Sequence, residues 1–407
     1  MSMDVRAFRR LATTILICAS ATVLTARSLP AADKTIVIGA PLPLTGALAP
    51  EGEKLKLGYE LWLEEVEKRG GINVGGVKYK VKLIYSDYQS TTPKAVQLVE
   101  KLITSDQVNF MFSPFGSGAI KATSSVAEKY GVPMMASTAS SKEVYDQNYK
   151  NLFGLYTPND TLSEPIAALI KAKLPDVRRV AILARNDLYP LALANEFKKS
   201  AESRGLQVVY FEKYAIGTLD HAASITQIGA AKPEWIIATG YINDLILIRQ
   251  QMADQRVSAK VITGINGPQY REWIDAVGAV GNGVTTASWF HSSVRYKSED
   301  LFGSTENFVK LFMAKYGSEP DFTQASGAAI GVILQMAIEK AGTLDRDKVR
   351  SVLANTEFKT FFAPVKFGPD GEANSYIPPV YQIQDKKVVV IYPDAIKQSD
   401  LQPITGK

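Results

Sequence analysis

Residues 109–131 read NFMFSPFGSGAIKATSSVAEKYG. A short apolar run ends at Phe112, a turn of small residues follows at Gly116-Ser117-Gly118, and a helical pattern begins near Ile120. The same unit recurs directly downstream, where the run Val132 to Ala136 leads into Ser137-Thr138-Ala139-Ser140 and a further helix is expected from Lys142. Backbone N–H groups at a helix start are unpaired and carry the positive end of the helix dipole, so small hydroxyl-bearing residues there let an anion approach closely. In open α/β sheets ligands bind at the carboxyl ends of strands. The two clusters together predict a cradle for a small polar ligand.

The pattern extends outward in both directions. TIVIGA (35–40), a helix over Glu53 to Lys68, KVKLIYSD (80–87) and a helix over Pro93 to Ser105 give an alternating βαβα order. In the first helix Leu55, Tyr59, Trp62 and Val66 share one face while Glu60, Glu64 and Glu67 lie on the other, which makes the aromatics core residues. GGINVGGVKYK (70–80) is a helix stop followed by a hairpin-like turn. After a turn-rich stretch, YTPNDTLSEP (156–165), the alternation restarts with RVAILA, LQVVYFE, EWIIATG and KVITG, each followed or preceded by a helical segment. TTASWFHSSVRY (285–296) reads as a connection, three helical stretches follow over Thr305–Tyr316, Thr323–Lys340 and Asp345–Ala354, and the tail turns to strands. Two parallel α/β blocks are expected, with crossings near Tyr156, Trp289 and Phe362.

Composition narrows the function classes. Of 407 residues 46% are hydrophobic and 21% charged, the balance of a globular chain with a sizeable core and room for two domains. Arg6, Arg9 and Arg10 precede an uncharged run from Leu11 to Ala26, and small residues follow at Ser28, Ala31 and Ala32. That arrangement reads as a secretory signal peptide over residues 1–32, so the mature protein is expected in the periplasm. The single cysteine, Cys18, lies inside that run and is read as signal-peptide filling, leaving no thiol for disulfides or catalysis. Setting aside residues 1–32, with Arg6, Arg9, Arg10, Arg27 and Asp4, lowers the formal charge from +5 to +2. Basic and acidic residues are interleaved, so no nucleic-acid footprint is expected.

Catalytic candidates fail on inventory. Outside the leader the chain has two histidines, His221 and His291, expected at the surface or a pocket rim, and it lacks HExxH, CxxC and metal-ligand spacings. FGSGA does not match the GxSxG elbow, and TIVIGAPLPLTG lacks GxGxxG. No enzyme activity, cofactor or metal is expected.

The order PLPLTGALAPEGEKLKLGYELWLEEVEKRGGINVGGVKYKVKLIYSD, SPFGSG, AEKYGVPMMASTAS, RVAILARNDLYP and EWIIATGYINDLILIRQQM closely resembles the branched-chain amino-acid-binding family of type I periplasmic binding proteins. The resemblance covers nearly all of the mature chain. It implies an α/β fold of two Rossmann-like lobes joined by a three-stranded hinge, with lobe 1 over 33–156 and 289–361 and lobe 2 over 157–288 and 362–407. It further implies an extracytoplasmic receptor of an ATP-driven importer, expected to act as a monomer, that closes on a small-molecule ligand and delivers it to a membrane permease. By position, Ser117 would bind the ligand carboxylate, Thr138 and Ser140 would share its polar head, and Tyr189 and Tyr241 would close from the second lobe. Phe115 and Trp289 are expected walls.

One departure bears on the ligand. The family's amino-acid binders hold the ligand ammonium with a second-lobe glutamate, but this chain reads KVITGINGPQY, with Ile265 and Asn266 near that place. A buried ammonium without a counter-charge costs several kcal/mol. Either another acid substitutes, Glu51 in GALAPEG being the available one, or the ligand is an aromatic or aliphatic carboxylate or amide lacking the amine. The chain-wide resemblance favours a small amino acid, and the loop favours the alternative. A ligand sensor on the same fold, signalling to a membrane kinase or other receptor, is the rival from another class.

Overall fold

The β-branched run TIVIGAPL forms β1 (Thr35–Leu42), buried without interruption from Ile38 onward, as a central parallel strand requires. The computed structural model describes residues 34–404, so the expected leader and Cys18 lie outside the described residues. α1 (Ala49–Lys68) follows, then β2 (Ile72–Val74) and β3 (Val77–Asp87), an antiparallel hairpin turning at Gly75-Gly76. Both glycines have positive φ, 59° and 89°, as a two-residue hairpin turn demands. α2 (Thr92–Thr104), β4 (Phe110–Phe112), α3 (Ser117–Lys129), β5 (Met134–Ala136), α4 (Lys142–Tyr145) and β6 (Leu152–Gly154) complete the first block. Its sheet has the order β2-β3-β1-β4-β5-β6, parallel except for β2.

The second block runs α5 (Asp160–Lys173), β7 (Arg179–Arg185), α6 (Leu188–Glu202), β8 (Gln207–Tyr214), α7 (Ala222–Ala230), β9 (Trp235–Thr239), α8 (Ile242–Asp254), β10 (Val261–Ile265), α9 (Arg271–Val277) and β11 (Thr285–Ala287). The chain then forms α10 (Thr305–Tyr316), α11 (Phe322–Ala341) and α12 (Arg346–Asn355), a small hairpin of β12 (Glu357–Lys359) and β13 (Pro364–Lys366), and finally β14 (Val380–Gln384) and β15 (Lys387–Tyr392). The second sheet has the order β15-β14-β11-β10-β9-β7-β8, parallel except for β14, which runs antiparallel to both of its neighbours. The fold is thus the expected two-lobed α/β arrangement.

α11 returns to the first lobe and lies across α1, buried over nearly its whole length. The helices meet through glycines: a Cβ at Gly58 would lie 2.1 Å from the carbonyl oxygen of Gln324, and one at Gly331 2.4 Å from the Trp62 ring. Among the described residues no single helix is long and apolar enough to cross a membrane.

Three details differ from the sequence reading. α3 starts at Ser117 rather than Ile120, because Gly116, at φ 86°, makes the turn that lets the hydroxyl cluster itself become the first helical residues. The stretch read as turn-rich contains the start of α5, since Leu162, Ile166, Ala167 and Ile170 bury a helical stripe that outweighs Pro165. The chain also still pairs with the first sheet beyond the crossing expected near Phe362: Gly154 donates to Gly371 O at 2.8 Å, and Ala373 N–H donates to Gly154 O at 2.9 Å.

Candidate ligand-binding site

In both sheets the strand order reverses beside the first strand of the block, between β1 and β4 and between β7 and β9. Loops after these strands diverge and leave a crevice at their carboxyl ends. On the first lobe, β4 ends in Ser113-Pro114-Phe115-Gly116 and β5 ends in the serine/threonine cluster. The two loops are tied together: Gly116 N–H donates to Thr138 Oγ1 at 3.0 Å, Ser140 N–H to Ser117 Oγ at 3.4 Å, and Ser140 Oγ to Asn159 Oδ1 at 2.6 Å. The start of α3 is thereby held rigidly, with Ser117 and Ser140 fully buried behind Gly116 and Thr138.

On the second lobe, β7 delivers Tyr189 in the first turn of α6, and β9 delivers Tyr241 as the cap of α8. Asp244 accepts the Tyr241 N–H at 3.0 Å and a two-pronged contact from Arg185 at 3.0 and 2.8 Å. The Arg185 guanidinium lies 5.2 Å from the Tyr241 ring centre. Burial alone would lower the Arg185 pKa, but the Asp244 charge and hydrogen bonds outweigh it and hold the group above its ordinary value. Burial pushes both tyrosine hydroxyls up, so they stay protonated. β10 ends at Ile265, and Asn266 follows at φ 72°, a conformation asparagine tolerates better than most residues.

The crossings supply the remaining wall. Trp289 stacks on Tyr156 with ring centres 3.8 Å apart and an interplanar angle of 5°, and its indole N–H donates to Thr157 O at 3.1 Å. Between the lobes a small cavity of about 10 Å³ remains, lined by Phe115, Gly116, Thr138, Tyr156, Tyr189, Tyr241, Asn266, Trp289 and Phe322. Phe115 and Tyr241 meet across it with ring centres 5.7 Å apart. Six aromatic rings and no ionisable carboxylate or amine surround this space.

Of the residues predicted from sequence, Phe115, Thr138, Tyr189, Tyr241 and Trp289 line the cavity, and Ser117 and Ser140 sit directly behind it. Glu51 does not line it. It stands in the first turn of α1, 2% exposed, where Oε1 faces the Ile242 N–H of α8 at 3.5 Å and Oε2 has no partner among the described residues. Burial raises its pKa to about 7, offset in part by hydrogen bonds from its own and the Ile242 backbone and by the Lys54 charge. Tyr156, Asn266 and Phe322 are lining residues to which the motif reading gave no binding role, and Gly116 entered it only as part of the small-residue turn. Asn266 carried a signal, as the occupant of the place where a glutamate was expected, whereas Phe322 arrives from the start of a distant helix with no local mark. The histidines stand apart from the cavity; His221 is buried rather than at the surface, and burial lowers His291 to about 4. Among the described residues no group of His, Cys, Asp or Glu could hold a metal ion.

Two α/β lobes with a cleft of uncharged donors and aromatic walls define a solute-binding protein. The family profile described as periplasmic binding protein matches residues 35–387, and the chain belongs to that family. It is similar to Leu/Ile/Val-binding protein homolog 7 of Brucella abortus (strain 2308), 24% identical over 401 residues that cover 95% of this chain and 98% of that protein. Among solved structures it resembles the branched-chain amino acid transporter substrate-binding protein of Streptococcus pneumoniae in complex with isoleucine, with a TM-score of 0.79, 23% identity and coverage of 88% and 100% of the two chains. It also resembles an ABC-transporter solute-binding protein of R. palustris in complex with benzoate, with a TM-score of 0.75, 21% identity and coverage of 88% and 95%. The family consists of transporter components that bind solutes, not of enzymes, and implies an extracytoplasmic location.

Proposed function

We propose that this protein is the periplasmic receptor of an ATP-driven importer, acting as a monomer, and that its ligand combines a carboxylate with a flat or branched apolar body and carries no α-ammonium. The observation that carries this reading is the composition of the cavity wall: six aromatic rings, the start of α3, and no acidic side chain. The carboxylate would sit against the first N–H groups of α3 and Thr138, at the positive end of the helix dipole. The apolar body would lie between Phe115, Trp289 and Phe322. An ammonium in the same place would lose its hydration without gaining a counter-charge.

In this reading the lobes comprise residues 33–156 with 289–376, and 157–288 with the chain from 377. The last boundary follows the pairing of Gly371 and Ala373 with Gly154. Ligand entry and release would require the lobes to part about the three crossings, breaking the Phe115–Tyr241 contact. The closed form would be the one that a permease recognises.

A second reading, an α-amino acid, is supported by the isoleucine bound to the S. pneumoniae neighbour and by Glu51, buried just outside the cavity beside α8. Calorimetry with two matched pairs, leucine against isocaproate and phenylalanine against hydrocinnamate, with benzoate alongside, separates the two. The deaminated acids are expected to bind more tightly by about 1–3 kcal/mol, the cost of burying an unpaired ammonium. Tight binding of leucine with none of isocaproate would establish the amino-acid reading instead.

A further inference from the structure

The cavity holds two polar atoms that a plain carboxylate seated at α3 would leave unused. Asn266 Oδ1 is buried without a hydrogen-bond partner among the described residues, and so is the Tyr189 hydroxyl. Asn266 is 6% and Tyr189 4% exposed, and both line the cavity from the second lobe. A buried polar group without a partner is costly, and pairs of them in a binding cavity mark where a ligand's own polar group belongs.

Their chemistry limits what that group is. Neither side chain carries charge, and burial holds the Tyr189 hydroxyl protonated at all physiological pH values. The asparagine amide presents an acceptor or, turned over, a donor, and the phenol can do either. A ligand hydroxyl, itself both donor and acceptor, can pair with either group in whichever role that group presents. An ammonium satisfies only acceptors and adds a charge that nothing lining the cavity neutralises. Asn266 directly follows β10, at φ 72°, and lines the cavity there.

Resting on the carboxylate reading above, we infer that Asn266 and Tyr189 form a neutral recognition pair that makes the protein selective for hydroxycarboxylates over both the unsubstituted and the amino acids. The hydroxyl adds binding by pairing with a group that is otherwise unpaired, and its absence leaves that group so. Sites built to hydrogen-bond a substrate hydroxyl discriminate strongly against analogues that lack it.

The test is calorimetry on the full mature chain with the series isocaproate, α-hydroxyisocaproate and leucine, and with benzoate against para-hydroxybenzoate. At least one hydroxy acid is expected to bind about tenfold or more tightly than its parent acid. In Asn266→Gly, which suits the positive φ, and separately in Tyr189→Phe, the ratio of hydroxy-acid to parent-acid affinity should fall towards one, with thermal melting confirming a folded protein. Asn266→Asp should move the preference towards leucine by restoring a negative charge. If the parent acids bind but neither hydroxy acid binds more tightly, the recognition pair is refuted while the carboxylate reading stands. If no acid of either series binds and leucine does, both fall.

Discussion

Lys54 Nζ lies 2.7 Å from Glu272 Oε1, an ion pair that joins α1 of one lobe to α9 of the other. The same nitrogen is 2.8 Å from Asp321 Oδ2, the residue that caps α11 in its own lobe. Burial alone would lower the Lys54 pKa, but the charges of Asp321 and Glu272 reverse the shift and keep the amine cationic. The Asp321 limb stays within one lobe and needs no closure. The Glu272 limb exists only while the lobes are together, so it stabilises the ligand-retaining state specifically. Because the Glu272 carboxylate is half exposed, Glu272→Gln should weaken ligand affinity by only about 0.2–1 kcal/mol. The loss should appear as faster ligand release in stopped-flow measurements, with the melting temperature of the ligand-free protein little changed. An unchanged release rate would remove this pair from the closing contacts.

Glu51, one turn earlier on α1, predicts a pH dependence of opposite sense to that of most acidic residues. Its pKa is raised from an ordinary 4.5 to about 7 chiefly by burial. Between those values the native protein holds a proton that the unfolded chain has released, so stability falls as pH rises through the window. The stabilisation is fully present below pH 4.5 and is lost above about pH 7. Each pKa unit corresponds to about 1.4 kcal/mol, giving a change of about 3 kcal/mol at most. Urea denaturation of the wild type and of Glu51→Gln at pH 5 and pH 8 should show the wild type losing ground to the variant at the higher pH. Parallel behaviour of the two proteins would mean that Glu51 is solvated in solution. A ligand ammonium reaching Glu51 would also draw off this proton, so proton release on binding leucine, measured in buffers of different ionisation enthalpy, would report the amino-acid reading directly.

The hydroxyl clusters predict a loss of affinity rather than of fold. Ser117→Ala with Ser140→Ala removes the Ser117 acceptor of the Ser140 N–H and the Ser140 bond to Asn159. The start of α3 is then free to shift relative to the β5 loop. Each lost bond joins neutral groups and contributes about 0.5–1.5 kcal/mol, so the double change should cost roughly fivefold or more in affinity. Circular dichroism should confirm a native α/β spectrum. Full affinity in the double variant would place the carboxylate elsewhere.

The sequence made the lobe 1 half of the site readable because short-range signals specify it. A strand, a glycine at positive φ and a helix start lie within a few residues of one another, and Gly116 and Thr138 are found where that reading puts them. Tyr189 and Tyr241 are placed by the family resemblance, which puts a tyrosine after each of two clear apolar strands. Phe322 could not be placed: it lines the cavity because α11 comes back across α1 from the far end of the chain, a long-range packing that leaves no pattern at residue 322 itself. Tyr156 read as a crossing residue, and only its stacking on Trp289 turns it into a wall. The third crossing was expected near Phe362 because β12 and β13 look like the beginning of the terminal strands. Their pairing is with each other, and the residues after them bond to β6 before the chain leaves the lobe.

Tyr241 tests whether closure retains the ligand. Its ring faces Phe115 across the cleft, and its hydroxyl would lie 3.4 Å from a Cβ placed on Gly116, so it touches the first lobe only when the lobes are together. Arg185 and Asp244 hold it in place from behind, which fixes its position before the ligand arrives and leaves little entropy to lose on closing. Tyr241→Phe keeps the ring and should cost about 1 kcal/mol or less in affinity. Tyr241→Ala removes the aromatic contact and opens the wall, and should cost about 3 kcal/mol, mostly as faster release. Small-angle scattering distinguishes a state-specific role from simple loss of contact area. With saturating ligand the wild type and Tyr241→Phe should contract relative to their ligand-free forms, while Tyr241→Ala should contract incompletely at equal occupancy, because the contact that favours the closed state is gone. Equal contraction in all three would confine Tyr241 to ligand contact and leave the closing equilibrium to contacts such as Lys54–Glu272.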